Sequence, residues 1–165
     1  MTSPVRVVLI GAGRAGRVHA NSLVHHVPGG VLVGLVDSVP ATLKETGDLY
    51  GVPEAARFAS LEDALERLAF DAVVITTPTF THQHLAVLAA ENGRHVFCEK
   101  PMALTLAECD TMIEAADRNS VFLQIGFMRR FSPEFVAASE RIFAGEIGQP
   151  MLVKSLTHGP GLPPP

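Results

Sequence analysis

Cysteine is scarce in this 165-residue chain, which has only Cys98 and Cys109. Two such residues give neither the density of a disulfide framework nor the spacing of a zinc site. No metal is therefore expected, and a reducing, cytoplasmic compartment is the simplest fit. A basic excess is absent too. Lys and Arg number 13 against 17 Asp and Glu, a net charge of -4 that argues against a nucleic-acid-binding surface. Basic residues are scattered, with Arg129-Arg130 the single adjacent pair. No apolar run approaches the ~18 residues of a membrane span, and Met1-Thr2-Ser3-Pro4 lacks the charged start and apolar stretch of a signal peptide. What remains is 47% hydrophobic and 18% charged, ample for a buried core. The length suits one compact domain, or one domain with a piece of another.

Along the chain, short apolar runs alternate with helical patterns. Val5 to Ile10 is a β-branched run of the kind buried on both faces of a parallel sheet. A helix is expected from about Ala15 to Val27, stopped by Pro28-Gly29-Gly30, and a second strand from Val31 to Val36. A helix between Pro40 and Gly51 follows, then a short strand at Arg57-Phe58-Ala59. Ser60 to Asp63 and Thr105 to Glu108 read as capping boxes that open two further helices, ending near Ala69 and Asn119. Between them lie a strand at Asp71 to Thr76, a helix at His82 to Asn92 and a strand at His95 to Cys98; Val121 to Ile125 is one more strand. This βα alternation predicts an α/β fold, a doubly wound parallel sheet with helices on both faces.

After Gly126 the rhythm changes. Ser132 is placed to accept from first-turn amides of a helix that opens with Pro133 and reaches Ala144. Met151 to Thr157 reads as a strand, and the Gly159 to Pro165 tail as extended and mobile. The expected division is 1–125 for the first domain and 126–165 for the start of another.

Gly11-Ala12-Gly13-Arg14-Ala15-Gly16 fits G-x-G-x-x-G, with a strand before it and a helix after. Gly11 permits the tight turn, Gly13 lets the backbone approach a pyrophosphate, and Gly16 lets helix pack on strand. The helix N-terminus adds free N–H groups and partial positive charge. Asp37 ends the second strand. Its carboxylate can accept from both adenosine ribose hydroxyls and would repel a 2′-phosphate, which favours NAD over NADP. The plainer alternative for Asp37 is a strand-end turn residue or helix cap.

Glu99-Lys100-Pro101 follows the fifth strand, where ligands of open α/β sheets bind. A lysine there can hydrogen-bond a substrate hydroxyl and stabilise a developing alkoxide, with Pro101 holding Lys100 extended. Taken alone, such a lysine is more often a solvated surface charge.

The glycine loop through Ala20, the Thr76-Thr77-Pro78-Thr79-Phe80-Thr81-His82 segment, Glu99-Lys100-Pro101, and Gly126 to Phe131 together resemble the Gfo/Idh/MocA oxidoreductase family. Their order covers nearly the whole chain, and the wording is closest to the inositol 2-dehydrogenase-like branch. The resemblance implies a Rossmann domain whose dinucleotide lies on Gly11, Gly13, Arg14, Ala15 and Gly16, with Asp37 on the adenosine ribose. It further implies that Thr76, Thr77 and Pro78 line the cofactor and that His82 closes the crevice. Glu99 would meet the nicotinamide ribose, and Lys100 would act at the reacting centre. His19, His25, His26, His95 and His158 are read as structural or surface residues, and Arg129-Arg130 as either a substrate contact or a solvated pair.

Family members carry a second, mainly antiparallel domain with a catalytic aspartate and histidine one helical turn apart. After Lys100 the aspartates here are Asp110 and Asp117 and the histidine is His158, so no such pair is present. The expectation is the N-terminal portion of an NAD-dependent enzyme oxidising a polyol or sugar alcohol. The alternative is a non-catalytic NAD-binding module or an inactive, truncated remnant. With no sheet to join, the Met151 to Thr157 strand would be an exposed edge inviting homo-oligomers, or a partly disordered tail.

Overall fold

A computed structural model describes residues 3–156 of the chain. The Gly159 to Pro165 tail, Thr157 and His158 lie outside the described residues. The elements run β1 (Val5–Ile10), α1 (Arg14–His25), β2 (Gly30–Val36), α2 (Pro40–Tyr50), β3 (Arg57–Phe58), α3 (Leu61–Arg67), β4 (Ala72–Ile75), α4 (His82–Glu91), β5 (His95–Cys98), α5 (Leu106–Arg118), β6 (Leu123–Ile125) and α6 (Pro133–Phe143). Short 3-10 turns at Glu54–Ala56, Thr79–Thr81 and Met128–Phe131 fall where the sequence pattern carries no period of its own.

Six strands pair in the order β3-β2-β1-β4-β5-β6, every neighbour parallel. This is the doubly wound order, with the reversal point between β1 and β4. Strand alternation sorts the side chains. Val8 and Ile10 of β1, Val73 and Ile75 of β4, and Val96 and Cys98 of β5 pack with Leu61, Ala64, Ala86, Ala89 and Met112 of α3, α4 and α5. Val7 and Leu9 pack instead with Ala20 and Leu23 of α1 and Leu43 of α2. Continuous apolar runs in β1 and β4 are therefore read on both faces, as parallel strands require.

Helix ends follow local chemistry. Gly51 closes α2 at φ 69°, a left-handed position that suits glycine. Thr105 and Glu108 form a reciprocal capping box at α5: the Thr105 hydroxyl accepts the Glu108 N–H and the Glu108 carboxylate accepts the Thr105 N–H. At α3 only half of that box forms. Ser60 Oγ accepts from the Asp63 N–H at 3.2 Å, while the Asp63 carboxylate takes the Ser60 hydroxyl at 2.9 Å. Asp63 is one methylene shorter than glutamate and stops at the hydroxyl rather than the backbone.

The described residues form two compact units that divide between Gly126 and Phe127. The second holds α6 and no buried residue among those described. Two expectations fail there. Ser132 caps no amide of α6, because its hydroxyl donates to the Glu134 carboxylate, which that bond holds below the usual carboxylate range. Met151 to Leu156 is not a strand and is exposed throughout. An apolar segment becomes a strand only where a neighbour completes its ladder, and among the described residues there is no free strand edge at Met151 to Leu156 to invite self-association. Arg129 lies with its guanidinium 5.5 Å from the Phe135 ring, and both arginines are exposed.

Candidate cofactor-binding site

The C-terminal ends of β1, β2, β4 and β5 bring four sequence segments to one edge of the sheet. Gly11 leaves β1 at φ 90°, and a Cβ there would lie 2.9 Å from the Thr77 nitrogen. Gly16 has no room at all: a Cβ would collide with the Gly11 carbonyl oxygen. These two glycines are demanded by the fold itself. Gly13 differs, since a Cβ there would meet nothing within 4 Å. Its surroundings are open on the side where the first-turn amides of Arg14, Ala15 and Gly16 begin α1. No side chain caps that helix, and its first turn carries no acid. An anion suits such an uncapped N-terminus.

Three side chains hold the loop in place. Asp37, just past β2, accepts the Ala12 N–H at 2.7 Å through Oδ2 and the Val39 N–H at 2.9 Å through Oδ1. Each oxygen keeps a further lone pair for a ribose hydroxyl. Thr46, fully buried in α2, donates to the Ala12 carbonyl at 3.1 Å. Thr76, at the end of β4, shares its hydroxyl between the Ile10 and Gly11 carbonyls. The sequence reading did not single out Thr46; its signal would have been a threonine on the sheet-facing side of an otherwise ordinary helix.

Thr77 and Pro78 follow Thr76 past the end of β4, and the Thr77 and Thr81 hydroxyls meet at 2.7 Å. His82, the first residue of α4, is only 1% exposed. Its Nδ1 is 3.0 Å from the Pro101 carbonyl and its Nε2 2.9 Å from the Thr77 carbonyl. The ring is thus closed off from solvent between two main-chain oxygens. Glu99 is half-buried and Lys100 exposed, and the Lys100–Pro101 peptide bond is cis. One Glu99 oxygen lies 2.9 Å from His19 Nε2, and the other accepts the Lys100 N–H at 3.0 Å. His19, read from sequence as structural or surface, therefore reaches the same tripeptide. Its signal is the stripe Gly16, His19, Ala20, Leu23 along α1, a polar residue set in the face that meets the sheet. Beside Glu99, Cys98 is fully buried, and burial pushes its thiol up to about 12. No group of metal-ligating side chains gathers among the described residues, and no helix among them is long and apolar enough to cross a membrane.

Residues 5–127 match the Gfo/Idh/MocA family model, described as an oxidoreductase family with an NAD-binding Rossmann fold. The chain belongs to that family. As a Gfo/Idh/MocA protein it is 40% identical over 164 residues to scyllo-inositol 2-dehydrogenase (NAD(+)) of Bacillus subtilis, covering 99% of this chain and 47% of the relative. It is 34% identical to myo-inositol 2-dehydrogenase of Thermotoga maritima, covering 97% of this chain and again 47% of the relative. The crystal structure of scyllo-inositol dehydrogenase from Lactobacillus casei with NAD(H) and scyllo-inositol superposes with a TM-score of 0.83 at 28% identity, over 88% of this chain and 43% of that one. The Gfo/Idh/MocA chain here thus spans about half the length of the curated relatives it matches.

Proposed function

We propose that this chain is the dinucleotide-binding portion of an NAD-dependent oxidoreductase that takes a hydride from a secondary alcohol of a polyol or sugar, inositol-like in kind. The observation that carries the reading is the meeting of Glu99-Lys100-Pro101, at the end of β5, with the uncapped glycine loop and Asp37 at one sheet edge. Gly11, Gly13, Arg14, Ala15 and Gly16 would hold the pyrophosphate through backbone N–H groups. Asp37 would read the adenosine ribose, and its negative charge would disfavour a 2′-phosphate. Thr76, Thr77 and Pro78 would line the cofactor, and Glu99 would accept from the second ribose. The nicotinamide, when bound, supplies the hydride acceptor. Lys100 would orient the substrate hydroxyl and stabilise the oxygen from which the proton leaves. The two free cysteines fit a reducing cytoplasm.

Calorimetric titration with NADH and NADPH is the decisive first experiment. Tighter binding of NADH is expected, with Asp37→Ala reducing the preference to within a few-fold; equal binding of the two by the unaltered chain would remove the ribose argument. Lys100→Ala, in the longest active form of the protein, should lower kcat far more than cofactor affinity. If kcat survives, the lysine is not catalytic.

A further inference from the structure

We propose that His19 and His82 act as a pair of positioning residues that grip Glu99-Lys100-Pro101 from opposite faces of the sheet and so aim Lys100 at the nicotinamide end of the site. The inference rests on the cofactor reading above and deepens it, because neither histidine needs to touch the cofactor. His19 comes from α1, on the face shared with Leu9 and Ala20, and holds the Glu99 carboxylate at 2.9 Å. The ring is steadied against Phe97, 5.2 Å between centroids. His82 comes from α4, whose Ala86 and Ala89 belong to the opposite face, and holds the Pro101 carbonyl at 3.0 Å.

Lys100 lies between these two anchors, and its own N–H returns to Glu99. The tripeptide is therefore fixed before, at and after the lysine. Gly126 makes the arrangement possible, since a Cβ there would press on the Glu99 carboxylate at 3.2 Å. The second nitrogen of His82 lies 2.9 Å from the Thr77 carbonyl, so one buried ring spans two main-chain oxygens; a neutral imidazole, with a single N–H, donates to one of them at a time. A histidine merely filling core would not need both nitrogens aimed at main-chain oxygens of two different segments.

The glycine loop takes no part in the grip, being held by Asp37, Thr46 and Thr76. That separation supplies the test. NADH reaches both regions, whereas ADP lacks the second ribose and the nicotinamide and reaches only the glycine loop and Asp37. Because the grip also fixes Glu99 at the second ribose, His19→Leu and His82→Leu should each weaken NADH binding about tenfold, the loss of roughly one well-placed hydrogen bond, while ADP affinity stays within about twofold. The conservative variants sharpen this. Asparagine at 82 can place its amide nitrogen near the Nδ1 position and keep the Pro101 bond, so His82→Asn should restore most of the NADH affinity. His82→Gln, whose amide reaches the Nε2 position, should not.

Equal weakening of both ligands, or of neither, overturns the grip while leaving the cofactor reading intact. An unaltered chain that binds neither ligand overturns both. Should the position-82 variants fail to fold, nitrogen-15 spectra of the histidine rings in the unaltered chain decide. His19 and His82 signals that shift with NADH and not with ADP support the pair; signals that shift alike with both, or with neither, refute it.

Discussion

The two faces of the sheet are built to different standards. On one, α3, α4 and α5 cover β1, β4 and β5, and Phe70, Leu61, Met112 and Cys98 are almost wholly removed from solvent. On the other, α1 and α2 cover β1 and β2, but beyond α1 the sheet stands partly open. A cavity of about 350 Å³ lies there, lined by Leu23, Val27, Val74, Phe97 and Phe122 among others. Phe122 is 78% exposed. The candidate site sits where the faces meet at the strand ends, and draws one histidine from each. Stability comes chiefly from the closed face, while the α1 side provides the glycine loop.

The sharpest way to break this contrast is Phe70→Ala. Its ring is fully buried on the closed face under the Arg94 guanidinium, 4.9 Å away, and the loss should be about 4 kcal/mol by urea unfolding. A loss below 1 kcal/mol would mean that face is not the main core. Next in size is Gly16→Ala, where the added methyl meets the Gly11 carbonyl. About 2 kcal/mol is expected, together with lost NADH binding as α1 is pushed from the loop.

Thiol chemistry reports the same asymmetry without any substitution. With its pKa pushed up to about 12 by burial and by the Glu99 charge, Cys98 stays protonated and shielded at pH 8. Iodoacetamide should modify half-buried Cys109 and leave Cys98 until the chain unfolds, as peptide mass mapping would show. Since the pKa is raised, folding favours the neutral thiol, and that contribution fades only above the ordinary thiol value near 9. The smallest effect belongs to Phe122→Ser on the open face, within about 0.5 kcal/mol of the unaltered chain. A larger loss would show that something covers that face in solution.

How much of this was legible in sequence depends on the range of the interaction. Strand order and helix order followed from local periodicity, and Gly11 and Gly16 from the loop's own geometry. Thr105 and Glu108 were readable as a cap because their partners lie three residues apart. Ser60 with Asp63 looked the same and formed only half, because one methylene decides whether the carboxylate reaches the backbone. Ser132 was read from its neighbours alone, and its hydroxyl went to Glu134 instead. The Met151 to Leu156 pattern was sound as a pattern, yet a strand is a property of two segments. His19 and Glu99 are 80 positions apart, so no local rule could join them. Thr46 on the Ala12 carbonyl, 34 positions distant, escaped for the same reason.

The three tethers on Gly11 and Ala12 carry a kinetic meaning. Asp37 holds the Ala12 N–H, Thr46 its carbonyl, and Thr76 the Gly11 carbonyl, so the chain itself supplies every tether. A loop ordered in advance has little chain entropy left to lose on encounter. Dinucleotide capture at that end should therefore run as one bimolecular step, its observed rate climbing in proportion to ligand concentration with no plateau from a slow rearrangement.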